Sequence, residues 1–399
     1  VITSGWQRGD MKAKFAAAVF VLHVVFGLLT AQTNAAIQAD RNLTPRLASN
    51  SLAGSFLNQP KEKIDTLVLC PAKLQGELAR WVTYRKSQDF KIEVVTPGRS
   101  AHAVRQQILE SAKSNDLKNI VIVGDAGDRN TAPDMRVPTD FVMARDNVRF
   151  GSEIEIATDN RYADINDDGT PDVAIGRMPV DSPAELKNYI DRVIRYERDG
   201  LPAEAMRRVN FVAGVGGFGK IVDGVIEGTA KQIITDLIPG EIETTMTYGS
   251  WTSPYCPDPR RFSDSTLERF NEGSLFFVYI GHGDRRSLDR IYMPDQMHDI
   301  ITSKSVSKIE CRNGSPIAIF LACYTNAFDA KDDCLAELML KQEFGPVACF
   351  GGTRVTKPAA MALLSLEMIH DYFHEETSTL GEIFLHAKQR MIHGSKNFP

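Results

Sequence analysis

Two apolar runs in the sequence each end on a side chain that can act as a catalyst. Residues 275–280 are followed by a Gly-His-Gly tripeptide centred on His282, and residues 317–322 are followed by Cys323. A thiol is mostly protonated near neutral pH and needs a partner that favours the thiolate. A histidine within hydrogen-bond reach does this and can later protonate a leaving amine. The pair therefore predicts nucleophilic catalysis, with Cys323 as the nucleophile and His282 as the general acid and base.

Backbone groups beside these two residues suit the same chemistry. Gly281 and Gly283 flank the histidine and let a substrate backbone approach closely. The N–H groups of Gly283 and Cys323 are the expected donors to a tetrahedral oxyanion. Taken singly, a histidine is usually a satisfied polar residue, and a cysteine after a strand is usually a small buried hydrophobe. Their occurrence at two strand ends in this order favours the catalytic interpretation.

The elements that position the pair are predicted to be neighbouring parallel strands. Apolar runs of this length, rich in aromatic and branched residues, are typical of strands buried on both faces. Reactive groups in open parallel sheets lie just past the carboxyl ends of the strands. The 41 residues that separate His282 from Cys323 leave room for a crossover connection. If the two strands are adjacent, imidazole and thiol meet at one edge of the sheet.

This arrangement resembles a known group of enzymes. An apolar run ending in His-Gly, followed by one ending in Ala-Cys, is similar to the signature of the caspase-like cysteine peptidases. Residues 158–172, with the sequence TDNRYADINDDGTPD, and IGRMPV at 175–180 resemble the gingipain-type branch. The resemblance covers about residues 65–392. It implies a secreted cysteine endopeptidase that forms a thioester intermediate, acts on proteins or peptides, and prefers Arg or Lys before the scissile bond.

The resemblance also implies a fold. It is the α/β caspase-like (caspase-hemoglobinase) three-layer fold, a mostly parallel sheet flanked by helices, in two tandem α/β subdomains. The alternation of strand and helix patterns from residue 64 onward independently predicts parallel α/β layers. The Gly-Gly-Thr-Arg segment at 351–354 follows another predicted strand and resembles a substrate wall of the family.

An acidic turn is the candidate metal site. Asp164, Asn166 and Asp168 alternate as in the first half of a calcium loop, with a glycine after them at the tight turn. Ile175 stands where an EF-hand needs a bidentate glutamate, and Asp172 is the nearest later carboxylate. The alternative is a solvated acidic turn. We expect these four oxygen-bearing residues to hold a structural calcium ion, and we expect no cofactor for catalysis.

A glycine-rich loop has the residue spacing of a nucleotide-binding motif. Residues 214–220 satisfy GxGxxG and nearly satisfy the phosphate loop. Ile221 occupies the position where the phosphate loop needs Ser or Thr for magnesium, and the acidic ribose partner of a dinucleotide site has only weak candidates. We interpret the stretch as a strand-to-helix loop near the substrate cleft.

The N-terminus has the pattern of an export signal. A basic segment begins at Met11, an apolar stretch follows, and small residues end near Ala35, which predicts a signal peptide over residues 11–35. Residues 36–63 are interpreted as a linker. The expected location is secreted, periplasmic or cell-surface, and no later stretch is long enough to cross a membrane.

Composition and turn-forming residues indicate how the chain is divided into domains. The 399 residues, 43% hydrophobic and 24% charged, suit a globular chain. A net charge of −5 gives no support for nucleic-acid binding. The Asp-Gly-Leu-Pro stretch at 199–202 marks a boundary, so an N-terminal α/β subdomain is expected over 64–200 and a catalytic one over 201–399.

Some alternatives remain at this stage. Asp159 and Asp284 are both candidates to orient His282, each on weak grounds. Cys256 and Cys311 lie in polar loops and are able to pair in an oxidising compartment. The rival function is a catalytically silent binding or assembly module of the same fold at the cell surface. The intact His282 and Cys323 argue against this rival.

Overall fold

The computed structural model describes residues 63–127, 129–145, 147–216, 228, 230–231, 233–250, 253–294 and 296–394. These residues belong to one compact unit that begins at Glu62. The expected signal peptide, all but the last residue of the expected linker, and residues 217–227 of the glycine loop and its following helix lie outside this part of the chain. Among the described residues, no helix has both the length and the apolar character needed to cross a membrane.

Nine of the fifteen strands in the described residues, those of the two parallel sheets, follow predicted strand-like runs. In chain order they are β1 (Thr66–Leu69), β2 (Ile92–Val95), β3 (Asn119–Val123), β4 (Asp140–Met143), β5 (Glu155–Thr158), β6 (Ala174–Met178), β7 (Arg208–Ala213), β8 (Glu243–Tyr248), β9 (Phe276–Ile280), β10 (Gly283–Asp284), β11 (Ser287–Leu288), β12 (Arg290–Tyr292), β13 (Met297–Asp299), β14 (Ile317–Leu321) and β15 (Ala348–Phe350).

The helices alternate with the longer strands. They are α1 (Gln75–Lys86), α2 (Ala101–Ser114), α3 (Asn160–Ala163), α4 (Pro183–Asp199), α5 (Ala203–Met206), α6 (Phe262–Asn271), α7 (Leu335–Lys341), α8 (Pro358–His374) and α9 (Leu380–Gly394). Short 3-10 turns cover Asn147–Phe150, Pro259–Arg261 and Val306–Lys308, and a π-helical turn covers Ile233–Leu237. Local signals fix several ends. Ser182 caps α4 by accepting from the N–H of Glu185, Pro183 follows it, and Gly200 ends the helix at φ 72°.

Two parallel sheets carry the fold. The first has the order β2-β1-β3-β6 and the second the order β15-β14-β9-β7-β8, and every pairing within them is parallel. The predicted α/β architecture is therefore confirmed. In the sequence, the strands of the first sheet precede Gly200 and those of the second sheet follow it. The domain boundary was predicted at this position. One apolar cluster includes residues of both sheets, among them Val68 and Val278.

Successive side chains of a strand in the second sheet pack into clusters on opposite faces of the sheet. In β9, Phe276 and Val278 join the cluster shared by the two sheets, whereas Phe277 and Tyr279 join a second cluster on the opposite face. Successive side chains of a strand point to opposite faces, so a strand covered on both sides must be apolar throughout. This is the physical reason for the unbroken apolar runs.

Several short elements differ from expectation, among them the antiparallel pairs β10–β11 and β12–β13. The hairpin of β4 and β5 was not predicted, because its exposed and half-buried residues show no clear apolar pattern. Helix α6, which begins at Phe262 directly after the 3-10 turn, was not predicted either. Phe262 and Phe270 of α6 are fully buried against the second sheet, so tertiary packing stabilises this helix.

Candidate active site

His282 and Cys323 lie at equivalent steps beyond adjacent strands. The predicted adjacency of β9 and β14 is confirmed, and their register pairs Ile280 with Leu321. Each candidate catalyst follows two residues later. Neighbouring strands are about 4.8 Å apart, so the two backbones leave the sheet side by side. His282 is exposed and Cys323 is half-buried at this edge.

The histidine is held by its backbone and by its ring. Tyr279, fully buried, donates its hydroxyl hydrogen to the carbonyl of His282 at 2.9 Å. The ring Nε2 lies 3.2 Å from the carbonyl oxygen of Gly216. A carbonyl oxygen only accepts, so in the neutral imidazole this contact places the hydrogen on Nε2 and leaves the accepting role to Nδ1. The glycine loop that imitates a nucleotide site thus contacts the histidine.

Both glycines beside the histidine are required by close packing. A Cβ on Gly281 would lie 2.6 Å from the hydroxyl of Tyr279. A Cβ on Gly283 would lie 2.7 Å from the carbonyl oxygen of Cys323. Real Cβ atoms essentially never approach so closely. The backbone at Gly283 therefore packs directly on the backbone of the nucleophile candidate.

The thiol has a backbone donor. The N–H of Thr356 donates to Sγ of Cys323 at 3.3 Å, and the Thr356 hydroxyl lies 3.6 Å from the same sulfur. These two contacts hold the sulfur against the loop that follows β15. Beside Cys323 lies a small cavity of ≈ 20 Å³, with Ile280 and Leu321 in its wall.

Tyr324, directly after the cysteine, ties this loop to the β4–β5 hairpin. Its φ of 55° is in the left-handed region, where a bulky residue is uncommon. Its hydroxyl donates to Glu153 at 2.7 Å, and the guanidinium of Arg285 lies 4.4 Å from its ring centroid. Arg285 also pairs with Glu153. The N–H of Tyr324 donates to the carbonyl of Arg354 at 3.2 Å, so the loop after β15 reaches the same edge, as the sequence predicts.

The two candidates to orient His282 are engaged with other residues. Asp159 forms a bidentate pair with the buried Arg177, both contacts at 2.8 Å, and accepts from the Thr139 hydroxyl. Asp284 accepts from the N–H of Arg285 at 2.7 Å. The ring Nε2 of His282 contacts the carbonyl of Gly216.

The acidic turn is closed by its own backbone. Asp164 accepts from the N–H groups of Asp168 at 3.2 Å and Gly169 at 3.0 Å, and Asp172 accepts from the N–H of Ile165 at 2.7 Å. Asn166 donates its amide hydrogen to Asp172 at 3.1 Å. A carboxylate has about four lone-pair sites, so these bonds leave oxygen donors for a cation.

Within the described residues, the acids that converge most tightly lie elsewhere. Ligand atoms of Asp125, Asp333 and Glu337 all lie within 4.8 Å of one another, and the turn at 164–172 contains no such group. The pKa of the Glu337 carboxyl is held well above its usual range, first by burial and then by Asp125. Lys341 pairs with Asp333 on the other side of the cluster. Asp125 also accepts the N–H of Ala126.

The six cysteines are all free thiols, so Cys256 and Cys311 are not paired with each other. Burial raises the pKa of Cys70 and of Cys311 to about 12. Such thiols stay protonated at neutral pH and are poor nucleophiles.

The sequence did not indicate three contacts of the site. The sulfur contact with Thr356 is made by a backbone N–H, and any residue except proline supplies one. The Tyr324–Glu153 bond joins residues 171 positions apart, with no local signal at either end. The carbonyl of Gly216 lies in a loop whose sequence suggested phosphate binding.

Comparisons with known proteins find similar sequences and similar folds. The model of peptidase family C25 matches residues 59–398. Gingipain R2 from Porphyromonas gingivalis is 22% identical over 294 residues, which cover 71% of this chain and 35% of that protein. Lys-gingipain HG66 from the same organism is 23% identical over 312 residues, 75% of this chain and 16% of that protein. The chain thus spans 35% or less of the length of these relatives.

Solved structures show the same fold. The crystal structure of the Arg-specific cysteine proteinase gingipain R superposes with a TM-score of 0.65 at 20% identity, covering 84% of this chain and 74% of that chain. A second protease structure superposes with a TM-score of 0.66 at 19% identity, covering 87% and 75%. The predicted caspase-like architecture is confirmed.

Proposed function

Because the chain belongs to peptidase family C25, a family of cysteine-type peptidases, we propose that it is a cysteine endopeptidase in which Cys323 and His282 form the catalytic dyad. The observation that carries the proposal is the register of β9 and β14, which brings both residues to one sheet edge at equivalent steps. The residues packed around them fit the roles, since a backbone donor faces the sulfur and a carbonyl faces the imidazole.

The proposed reaction needs only these side chains and backbone groups. His282 accepts the thiol proton, and the sulfur of Cys323 attacks the carbonyl carbon of the scissile peptide bond. The oxyanion that forms accepts hydrogen bonds from the N–H groups of Gly283 and Cys323. His282 then protonates the leaving amine, the C–N bond breaks and a thioester remains. Water, deprotonated by His282, hydrolyses the thioester and restores the thiol.

The test of the dyad is loss of peptide hydrolysis. Cys323→Ala and His282→Ala should each abolish cleavage of a peptide library without lowering the melting temperature. The double variant should be hardly worse than either single one, because members of a catalytic unit are strongly non-additive. A peptide acyloxymethyl ketone should label the wild type and Cys256→Ala, a control at another half-buried thiol, but not Cys323→Ala. Substantial activity in Cys323→Ala would refute the assignment and direct attention to Cys334.

A preference for Arg or Lys before the scissile bond is a further part of the proposal. It rests on relatives described as Arg specific or named Lys-gingipain. A basic side chain needs a carboxylate, and the described residues that line the cavity beside Cys323 supply none. Profiling with fluorogenic peptides that vary this one position tests the preference. Equal cleavage after Ala and after Arg would exclude it.

We also propose that the protein is exported. The basic and apolar pattern of residues 11–35 supports secretion to the periplasm, the cell surface or the medium. N-terminal sequencing of the exported protein should then start near Ala36, and full-length protein in the cytoplasm would contradict export.

We further propose that the acidic turn binds a calcium ion. Oxygen donors of Asp164, Asn166, Asp168 and Asp172 would hold calcium in a structural role, with no part in bond cleavage.

A further inference from the structure

An open groove lies between the β4–β5 hairpin and the loops that follow β14 and β15. Its volume is ≈ 490 Å³. One set of its wall residues is apolar and consists of Phe141, Met143 and Ile154; the other set is charged and consists of Glu153, Glu155, Asp329 and Arg354. We refer to it as the hairpin groove. It is separate from the small cavity beside Cys323.

The apolar wall is unusually exposed. Phe141, Met143 and Ile154 expose 43%, 65% and 59% of their surface. Phe141 and Met143 alternate along β4 and so share one face of the hairpin. Isolated exposed apolar residues are ordinary, whereas several large ones side by side mark a binding site.

The charges in the groove are largely balanced by one another. Arg354 forms a bidentate pair with Asp329 at 2.8 and 2.6 Å. Glu153 is bound by Arg285 and by the hydroxyl of Tyr324. Glu155 leaves the groove lining with a slight excess of negative charge. The groove therefore suits an uncharged apolar side chain and disfavours an acidic one.

The groove is continuous with the nucleophile loop. Tyr324 follows Cys323 directly, and its hydroxyl reaches the groove at Glu153. The distance from the Cα atom of Cys323 to the hydroxyl of Tyr324 is on the order of 10 Å, because it combines one backbone step with the length of a tyrosine side chain. An extended peptide covers this distance in about three residues. A substrate that lies across the sheet edge at Cys323 therefore brings its own residues to the groove.

We propose that the hairpin groove is a substrate subsite, which binds a bulky apolar side chain about three residues from the scissile bond. The occupant is a segment of the peptide substrate, because Tyr324 of the nucleophile loop donates a hydrogen bond to Glu153 in the groove wall. This inference rests on the proposed peptidase function. It adds a second selection, distinct from the residue next to the scissile bond.

The experiment compares internally quenched peptides that differ at one position. Leu, Phe, Ala or Glu is placed in turn at the second to fourth residue on each side of the scissile bond. At one of these positions the wild type should cleave the Leu or Phe peptide about tenfold faster in kcat/KM than the Ala peptide, with Glu slowest. Phe141→Ala and Met143→Ala should each remove most of that preference, because they lower kcat/KM for the Leu and Phe peptides much more than for the Ala peptide. Phe150→Ala is the matched control, because Phe150 is 69% exposed on the same hairpin but does not line the groove.

Each outcome decides between the alternatives. Cleavage without apolar preference, or a preference that Phe141→Ala and Met143→Ala leave intact, overturns the subsite and spares the peptidase. A change in sedimentation mass in these variants, with peptide preference intact, shows that a second copy of the chain occupies the groove and overturns the subsite. Absence of any cleavage by the wild type overturns the proposed function and the subsite with it.

Discussion

At Gly283 the backbone of the histidine loop packs against the backbone of the proposed nucleophile, Cys323. A side chain there would meet the carbonyl of Cys323 at 2.7 Å, so Gly283→Ala must push the histidine and cysteine loops apart. A misplacement of about 1 Å costs on the order of 100-fold in rate, and we expect kcat/KM to fall by about that factor. Initial rates on a fluorogenic peptide measure it.

A glycine without such neighbours provides the control for Gly283→Ala. Gly76 lies in helix α1, where an added Cβ meets nothing within 4 Å. Gly76→Ala should keep full activity and gain about 0.5–1 kcal/mol of stability. If Gly283→Ala retains wild-type kcat/KM, the close approach of the two loops has no catalytic importance.

Single residues also show what the sequence can reveal of a site. His282 and Cys323 were identifiable because each follows an apolar run, and a strand end is a place that the chain pattern encodes. Their partners were not identifiable, because Thr356 and Gly216 contribute backbone atoms. The acids Asp159 and Asp284 looked suitable by type, but only the folded chain reveals that Arg177 and the backbone of Arg285 engage them.

Among the elements, the acidic turn before β6 yields the clearest test. Asp164, Asp168 and Asp172 lie in one turn, so calcium should reduce their mutual repulsion. A ligand that binds only the native state stabilises it by about 2.7 kcal/mol at a hundredfold excess over Kd. Calcium should thus raise the melting temperature and a chelator should lower it, and the labelling of Cys323 at low temperature should be unchanged.

The variant for this test is Asp168→Ala, which should erase the calcium response. Asp116→Ala is a control at a carboxylate outside the turn, and it should keep the response. Identical melting curves with calcium and with chelator would contradict calcium binding. The turn would then be an ordinary solvated loop, closed by the hydrogen bonds that Asp164 and Asp172 accept from backbone N–H groups.

Elements differ in how far the sequence predicts them. Strands covered on both faces, such as β9 and β14, leave an unbroken apolar run that few other structures need. The β4–β5 hairpin leaves no such record, since its outer residues are exposed and its partners, including Thr353 and Arg354, lie about 200 positions away. The groove at this hairpin could therefore only be found in three dimensions.

At the scale of the whole molecule, the shared apolar cluster should make the two sheets unfold together. Ile319 of β14 and Trp81 of α1 belong to this one cluster. Ile319→Ala should cost about 2–5 kcal/mol. In a background with Trp6→Phe and Trp251→Phe, the fluorescence of Trp81 should report the same lowered midpoint in urea as far-UV circular dichroism.

An exposed residue serves as the control for this prediction. Leu363 is 43% exposed on helix α8, and Leu363→Ala should change stability by less than about 0.5 kcal/mol. A Trp81 midpoint that stays at its original value while the circular dichroism midpoint falls would show that the two sheets are independent folding units.

The parallel direction of every strand in the second sheet has a practical consequence for attaching the protein to a surface. Since all carboxyl ends meet at the edge that bears His282 and Cys323, all amino ends lie at the opposite edge. The exposed residues Asn313 and Glu241 precede β14 and β8 there. β14 alone separates Asn313 from Cys323 by about 16 Å at the usual rise per residue. A biotin or a resin linkage placed at Asn313 should therefore present the edge that bears His282 and Cys323 to the solution.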